Sequence, residues 1–329
     1  MVTSLTLIAV ILTAIIFASS AWPQGLAANS SIFTSDTHVI TSGGEPKGIP
    51  VNGRGAPGAP GAKQSRDTDT PDAPANQPGS LYSSNAIIVS LGGGDVLYDL
   101  SADEQIYPAS LTKIMTAIIV IESGVNPNDT IVLEQDTYNQ VISQNLMTAG
   151  LLPGESYSIK ELLYGLILES GADCALGLAK YVSGTETEFA ELMNSKAIEL
   201  GMRGTHFTNS TGRHDRDHYS TVKDISVLLA YSLKNDTFYK IFTSRYYETE
   251  NPTPVTFNST LFSKTSGEFE NFRLLGGKTG YTYESGQCLA SLWEAHGNYY
   301  ILVTAGAYVE DNYSETRHIM DALALMTAL

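Results

Sequence analysis

Cysteine is nearly absent: Cys174 and Cys288 are the only two in 329 residues. Two thiols cannot build the disulfide framework of a small secreted scaffold, and in a domain of this size they read as separate buried side chains. Basic residues are scarce as well. Nineteen Lys and Arg stand against 35 Asp and Glu, a formal net charge of −16, which excludes nucleic-acid or anionic-lipid binding through a broad basic surface. Hydrophobic residues make up 43% of the chain, so it is not disordered as a whole and can bury one large core or two small ones.

No Lys or Arg precedes the apolar run from Leu5 to about Ala18, so the charge rule for membrane orientation has nothing to act on. Small residues follow up to Ala21, and the segment 1–21 reads as an export signal or an N-terminal membrane anchor, with attachment through residues 5–21 if it is retained. Apolar periodicity is missing from residues 22–80. Gly, Pro, Ser, Asn, Asp and Thr dominate there, including GAPGAPGAK at 55–63, a flexible linker with an expected span of about 40 to 45 Å. Residues 81–329 form the folded domain.

Within that domain AIIVSL (86–91) and DVLYDL (95–100) flank Gly92 to Gly94, a hairpin signal. SLTKIMTAIIVIES (110–123) places Leu111, Ile114, Met115, Ile118 and Ile119 at the spacing of a helix with one buried face. Helices are expected near 159–168, 174–182, 186–200 and 221–233. QCLASLW (287–293) and YYILVTAGA (299–307) predict a second hairpin around His296-Gly297-Asn298, followed by a helix over 314–328. The predicted class is α+β: an antiparallel sheet formed by N- and C-terminal strands, with an inserted helical cluster.

Three short stretches carry chemistry. Ser110-Leu111-Thr112-Lys113 sets a hydroxyl and an amine one helical turn apart at the head of an apolar helix. A second such spacing, Ser220 to Lys223, falls in a capping-box pattern with Asp224 and needs no catalytic role. LESGADCAL (168–176) likewise reads as a capping box, Ser170 with Asp173. Gly276-Gly277-Lys278-Thr279-Gly280-Tyr281 places a lysine and a hydroxyl among glycines just ahead of the second hairpin. The glycines are expected to let a substrate backbone lie close, and Lys278 to lower the pKa of Lys113 as a second cation.

Taken in order, Ser-x-x-Lys, Ser-Gly and Lys-Thr-Gly resemble the serine DD-peptidases of the penicillin-binding group, most closely the low-molecular-mass D-alanyl-D-alanine carboxypeptidases. The likeness rests on IYPASLTKIMTA (106–117), LLPGESYSIKELLYGLILESGADCA (151–175), HYSTVKDIS (218–226) and GGKTGYTYESGQCLASL (276–292). It implies the penicillin-binding/β-lactamase-like transpeptidase fold, with Ser110 as acylated nucleophile, Lys113 as its base and Ser170 as proton relay. Lys278 and Thr279 would bind the substrate carboxylate, while Gly280 and Tyr281 complete the substrate-binding strand. The N–H groups of Ser110 and Tyr281 would form the oxyanion hole. The implied substrate is a peptidoglycan stem peptide ending in D-Ala-D-Ala, with β-lactams as covalent inhibitors, no cofactor and no metal, at an extracytoplasmic cell-wall location. The chain leaves little room for the C-terminal β-rich domain and amphipathic anchor of some relatives, so attachment is expected at the N-terminus.

One position departs from the family pattern Ser-x-Asn: Ala172 stands where the amide belongs. A missing buried hydrogen bond costs on the order of 1 to 3 kcal/mol, so a retuned enzyme is expected, and Ala172→Asn should raise D-alanine release. Four other readings stay open. HDRDH (214–218) has zinc-ligand residue types without HExxH. A β-lactamase, a DD-endopeptidase and a non-catalytic penicillin- or muropeptide-binding module complete the set.

Overall fold

The computed structural model describes residues 80–308 and 316–329. The segment 1–21, the linker through residue 79 and positions 314 and 315 of the predicted last helix lie outside the described residues. Strands β1 (Asn85–Ser90) and β2 (Val96–Leu100) form the first predicted hairpin. A helical insertion follows: a 3-10 turn Ala109–Thr112, α1 (Lys113–Glu122), β3 (Thr130–Val132), α2 (Gln135–Ser143), β4 (Ser156–Ser158), α3 (Ile159–Leu168), α4 (Ala172–Ser183), α5 (Glu186–Glu199), α6 (Val222–Ser232) and α7 (Asp236–Phe242). The chain then forms β5 (Tyr246–Glu248), β6 (Thr256–Asn258), β7 (Phe272–Thr282), β8 (Gly286–Ala295), β9 (Asn298–Ala307) and α8 (Arg317–Ala328).

The main sheet has the order β2-β1-β9-β8-β7 with antiparallel pairings. Terminal strands thus close one sheet around the insertion, as predicted. The period-2 alternation of strands explains why helices cover both faces. Ile87, Val89, Cys288, Ala290, Ile301 and Val303 point to the insertion, whereas Ala86, Ile88, Leu289, Trp293 and Leu302 meet α8 through Ile319, Leu325 and Met326.

Two expectations about the first helix change. Helix α1 is buried on all sides from Lys113 to Val120, because α3, α4, α5, α6 and α7 surround it. Ser110 lies in the 3-10 turn ahead of α1 and not at the head of the α-helix itself. Residues 276–281 lie ahead of the second hairpin in the 11-residue strand β7 on the sheet edge. Gly276 through Thr282 pair with β8, which holds this Gly-rich stretch extended despite its weak strand propensity.

Candidate active site

A cleft of about 860 Å³ separates the edge strand β7 from the helical insertion, and Ser110, Lys113, Ser170, Ala172, Thr279, Gly280 and Tyr281 line it. Lys113 Nζ stands 3.1 Å from Ser110 Oγ. The lysine is 2% exposed, and burial brings its pKa down to about 8, against the opposing charges of Asp173 and Glu186. Burial, more than the second cation, therefore tunes this amine. Repulsion from Lys113 falls instead on Lys278, which burial and that charge together push well below the ordinary lysine range.

Lys278 is fully buried and does not line the cleft; its Nζ donates to the carbonyl of Thr279 at 2.8 Å. The Thr279 hydroxyl, on the cleft wall, lies 2.8 Å from that of Thr260. The glycines serve packing within the protein. A methyl on Gly276 would stand 2.5 Å from the carbonyl oxygen of Phe242, and one on Gly277 2.4 Å from Leu261. At Gly280 it would stand 3.0 Å from the backbone nitrogen of Ser110. Strand β7 thus seats against the turn that carries Ser110, and the Ser110 backbone nitrogen lies at the strand that carries Tyr281.

Two non-glycine residues hold left-handed backbone here: Ala109 (φ 47°), beside Ser110, and Ser170 (φ 62°), in the cleft. Each conformation costs about 1 to 3 kcal/mol and persists only where the surroundings enforce it. The predicted capping box at Ser170 does not form. Gly171 is the N-cap of α4, with no side-chain cap. The Asp173 carboxylate instead accepts from the amide of Ala149 at 3.0 Å and from the Thr148 hydroxyl at 2.6 Å. That frees the Ser170 hydroxyl from capping and ties the loop between α2 and β4 to the start of α4. Ala172 packs with Val141, Leu176 and Leu146 in a small apolar cluster.

The remaining candidates have other partners. Lys223 pairs with Asp103 on the surface at 2.9 Å, and Thr221 caps α6. The two histidines of HDRDH go to different places. His214 stacks edge-on against Tyr107 at the cleft, whereas His218 is buried with Nε2 2.7 Å from Thr112 Oγ1. Among the described residues no group of three or more His, Cys, Asp or Glu is placed to hold a metal ion. Cys174 and Cys288 are free, buried thiols.

A family model described as D-alanyl-D-alanine carboxypeptidase matches residues 71–308. The chain belongs to this family. Similar members include D-alanyl-D-alanine carboxypeptidase DacF of Bacillus subtilis, 33% identical over 233 residues, which are 68% of this chain and 59% of that one. The D-alanyl-D-alanine carboxypeptidase of Streptomyces sp. strain K15 is 31% identical over 208 residues, 60% of this chain and 72% of that one. The crystal structure of the Streptomyces K15 DD-transpeptidase superposes with a TM-score of 0.68 at 26% identity, covering 77% of this chain and 98% of that chain. The chain spans 59% of the length of DacF and 54% of that of Escherichia coli DacD.

Of the residues singled out in the sequence, Ser110, Lys113, Ser170 and Thr279 to Tyr281 meet in one cleft, whereas the segment Asn209–Gly212 carried no such mark. The Thr211 carbonyl accepts from Lys113 Nζ at 2.5 Å. A backbone acceptor has no residue-type signal; the available clue was Asn-x-x-Gly, a turn pattern ahead of HYST.

Proposed function

We propose that this protein is a serine-type D-alanyl-D-alanine carboxypeptidase that trims the terminal D-alanine from peptidoglycan stem peptides and is acylated by penicillins. The observation that carries the reading is a buried amine with a pKa of about 8, 3.1 Å from a serine hydroxyl at the wall of a cleft. In its neutral form Lys113 takes the Ser110 Oγ proton as Oγ bonds to the carbonyl carbon of the D-Ala-D-Ala amide. The oxyanion faces the N–H groups of Ser110 and Tyr281. As the C–N bond breaks, the departing nitrogen receives a proton by way of Ser170. Water then adds to the acyl-enzyme and Ser110 regains its proton.

Thr279 meets the substrate carboxylate, and Lys278 acts from beneath the strand as a buried group coupled to Lys113. A β-lactam mimics the same dipeptide and leaves slowly. The site of action is the cell-wall zone outside the cytoplasmic membrane. Residues 1–21 serve export or anchoring there, and residues 22–80 form the tether.

Mass spectrometry after incubation with penicillin tests the reading: a covalent adduct is expected on the native chain and absent in Ser110→Ala, and a native chain without adduct overturns it. The second reading, a binding module with little turnover, draws on the apolar setting of Ala172. Adduct formation without D-alanine release from a stem peptide would favour it.

A further inference from the structure

The Lys113 amine has two polar neighbours, Ser110 Oγ at 3.1 Å and the carbonyl of Thr211 at 2.5 Å. A neutral amine carries two N–H donors and one lone pair. An acceptor that claims one N–H therefore decides where the lone pair points, and only a lone pair aimed at Ser110 Oγ can take its proton.

The Thr211 carbonyl sits in a segment fastened from within. Asn209 is 1% exposed. Its Oδ1 accepts from the backbone amides of Thr211, Gly212 and Arg213 at 3.2, 2.8 and 3.1 Å and from the Thr211 hydroxyl at 3.0 Å. Its Nδ2 donates to the carbonyl of Arg213 at 3.0 Å. Gly212, at φ 80°, lies so close to the nucleophile turn that a methyl there would fall 1.9 Å from the carbonyl oxygen of Ala109.

The same segment is tied to the surrounding helices. Thr116 of α1 donates to the Ser210 carbonyl at 2.7 Å, and Glu186 of α5 accepts from the Ser210 amide and hydroxyl at 3.0 and 2.7 Å. His218, 2% exposed, closes the segment. Its Nδ1 accepts from the Thr208 amide at 3.1 Å, so its Nε2 carries the hydrogen and donates to Thr112 Oγ1, one residue before Lys113.

We propose that Asn209 and His218 are positioning residues for the acylation step: they hold the Thr211 carbonyl and the Ser110–Lys113 turn in one rigid unit, so that the Lys113 lone pair faces Ser110 Oγ. This inference rests on the reading of Ser110 as nucleophile. The arrangement supplies the lysine with an orienting backbone contact in a chain where residue 172 has no side-chain amide. The charged and titratable groups facing Lys113 are Asp173 and Cys174 from α4, Glu186 from α5, Lys278 from β7 and His218 itself. A shift in the pH profile must therefore be read against variants that leave all five in place.

The test separates non-covalent penicillin binding from the limiting acylation rate by stopped-flow across pH 6 to about 10. Asn209→Ala is expected to lower the limiting rate by about tenfold or more with binding unchanged within about twofold, and to displace the acid limb of the profile. Asn209→Asp keeps the acceptor oxygen for the three amides and is expected to recover most of the rate at the alkaline plateau. Thr112→Val and Thr112→Ser probe the other end: the valine removes the acceptor of His218 and is expected to slow acylation, and the serine to restore it.

If Asn209→Ala does not fold, the Thr112 pair decides. A limiting rate and pH profile unchanged in Asn209→Ala, or equal rates for the two Thr112 variants, overturns the proposal while native acylation leaves Ser110 in place. A native enzyme that forms no adduct overturns both.

Discussion

Gly280 lies against the backbone nitrogen of Ser110, and a methyl group there would approach that nitrogen to 3.0 Å while meeting Ala109 Cβ at 3.2 Å and the Pro108 carbonyl at 3.3 Å. Contacts this tight on rigid backbone force β7 and the nucleophile turn apart by tenths of an ångström. Both donors of the proposed oxyanion hole sit on those two segments. Gly280→Ala is expected to slow acylation by a fluorescent penicillin about tenfold to a hundredfold with a much smaller change in melting temperature. Native acylation in this variant would show that the strand does not position the reacting carbonyl.

The Lys113 pKa of about 8 sets a pH dependence whose sign follows from the base role. Only the neutral amine accepts the Ser110 proton, so acylation should rise with pH through a midpoint near 8. Lys113→Arg keeps a positive charge but cannot deprotonate in this range, and its acylation should fall by at least about a hundredfold at every pH. The second-order rate constant for penicillin, measured from pH 6 to about 10, checks both statements. A profile without a rise there would remove Lys113 from the role of base.

What the sequence made legible is what repeats locally. The period-2 and 3.6 patterns of 86–91, 110–123, 287–293 and 299–307 located both sheet hairpins and the central helix, and Ser110 with Lys113 needed only one helical turn to meet. The contacts that complete the site join segments far apart in the chain: Thr211 to Lys113 and His218 to Thr112 are separated by 98 and 106 positions. No local rule reports such pairs. Asp173 shows the same limit on a smaller scale. Its spacing from Ser170 predicts a capping box, yet its carboxylate turns to Ala149 and Thr148, 24 and 25 positions away, and leaves Ser170 for the cleft.

Burial of His218 and His318 makes a prediction about acid stability. Desolvation brings both imidazoles down from 6.5 to about 3. Each is a base with a depressed folded-state pKa, so the unfolded chain takes up the proton first as pH falls. Their contribution to stability is complete above pH 6.5 and is lost progressively between 6.5 and about 3. The slope is at most roughly 1.4 kcal/mol per pH unit for each proton bound only on unfolding. Urea midpoints measured across that window should decline, and His318→Gln should flatten the decline. An unchanged slope in that variant would mean that His318 titrates normally in the fold.

Ala172 gives the last prediction, and its packing argues for the opposite outcome to the one drawn from the family pattern. Its amide donates to the Met147 carbonyl at 2.7 Å, and the Asp173 carboxylate fastens the same loop through Ala149 and Thr148, so the first turn of α4 has no freedom to rotate. Its methyl packs on Val141, Leu146 and Leu176. An asparagine would bring an amide into that apolar seam, at a cost of about 1 to 3 kcal/mol where it finds no partner. The contact it would offer Lys113 is already supplied by the Thr211 carbonyl. Ala172→Asn is therefore expected to lower the melting temperature and to leave D-alanine release equal to or below that of the native chain. A gain in release would show that the cleft still has room for the amide, and that the apolar seam of α2 and α4 yields to it.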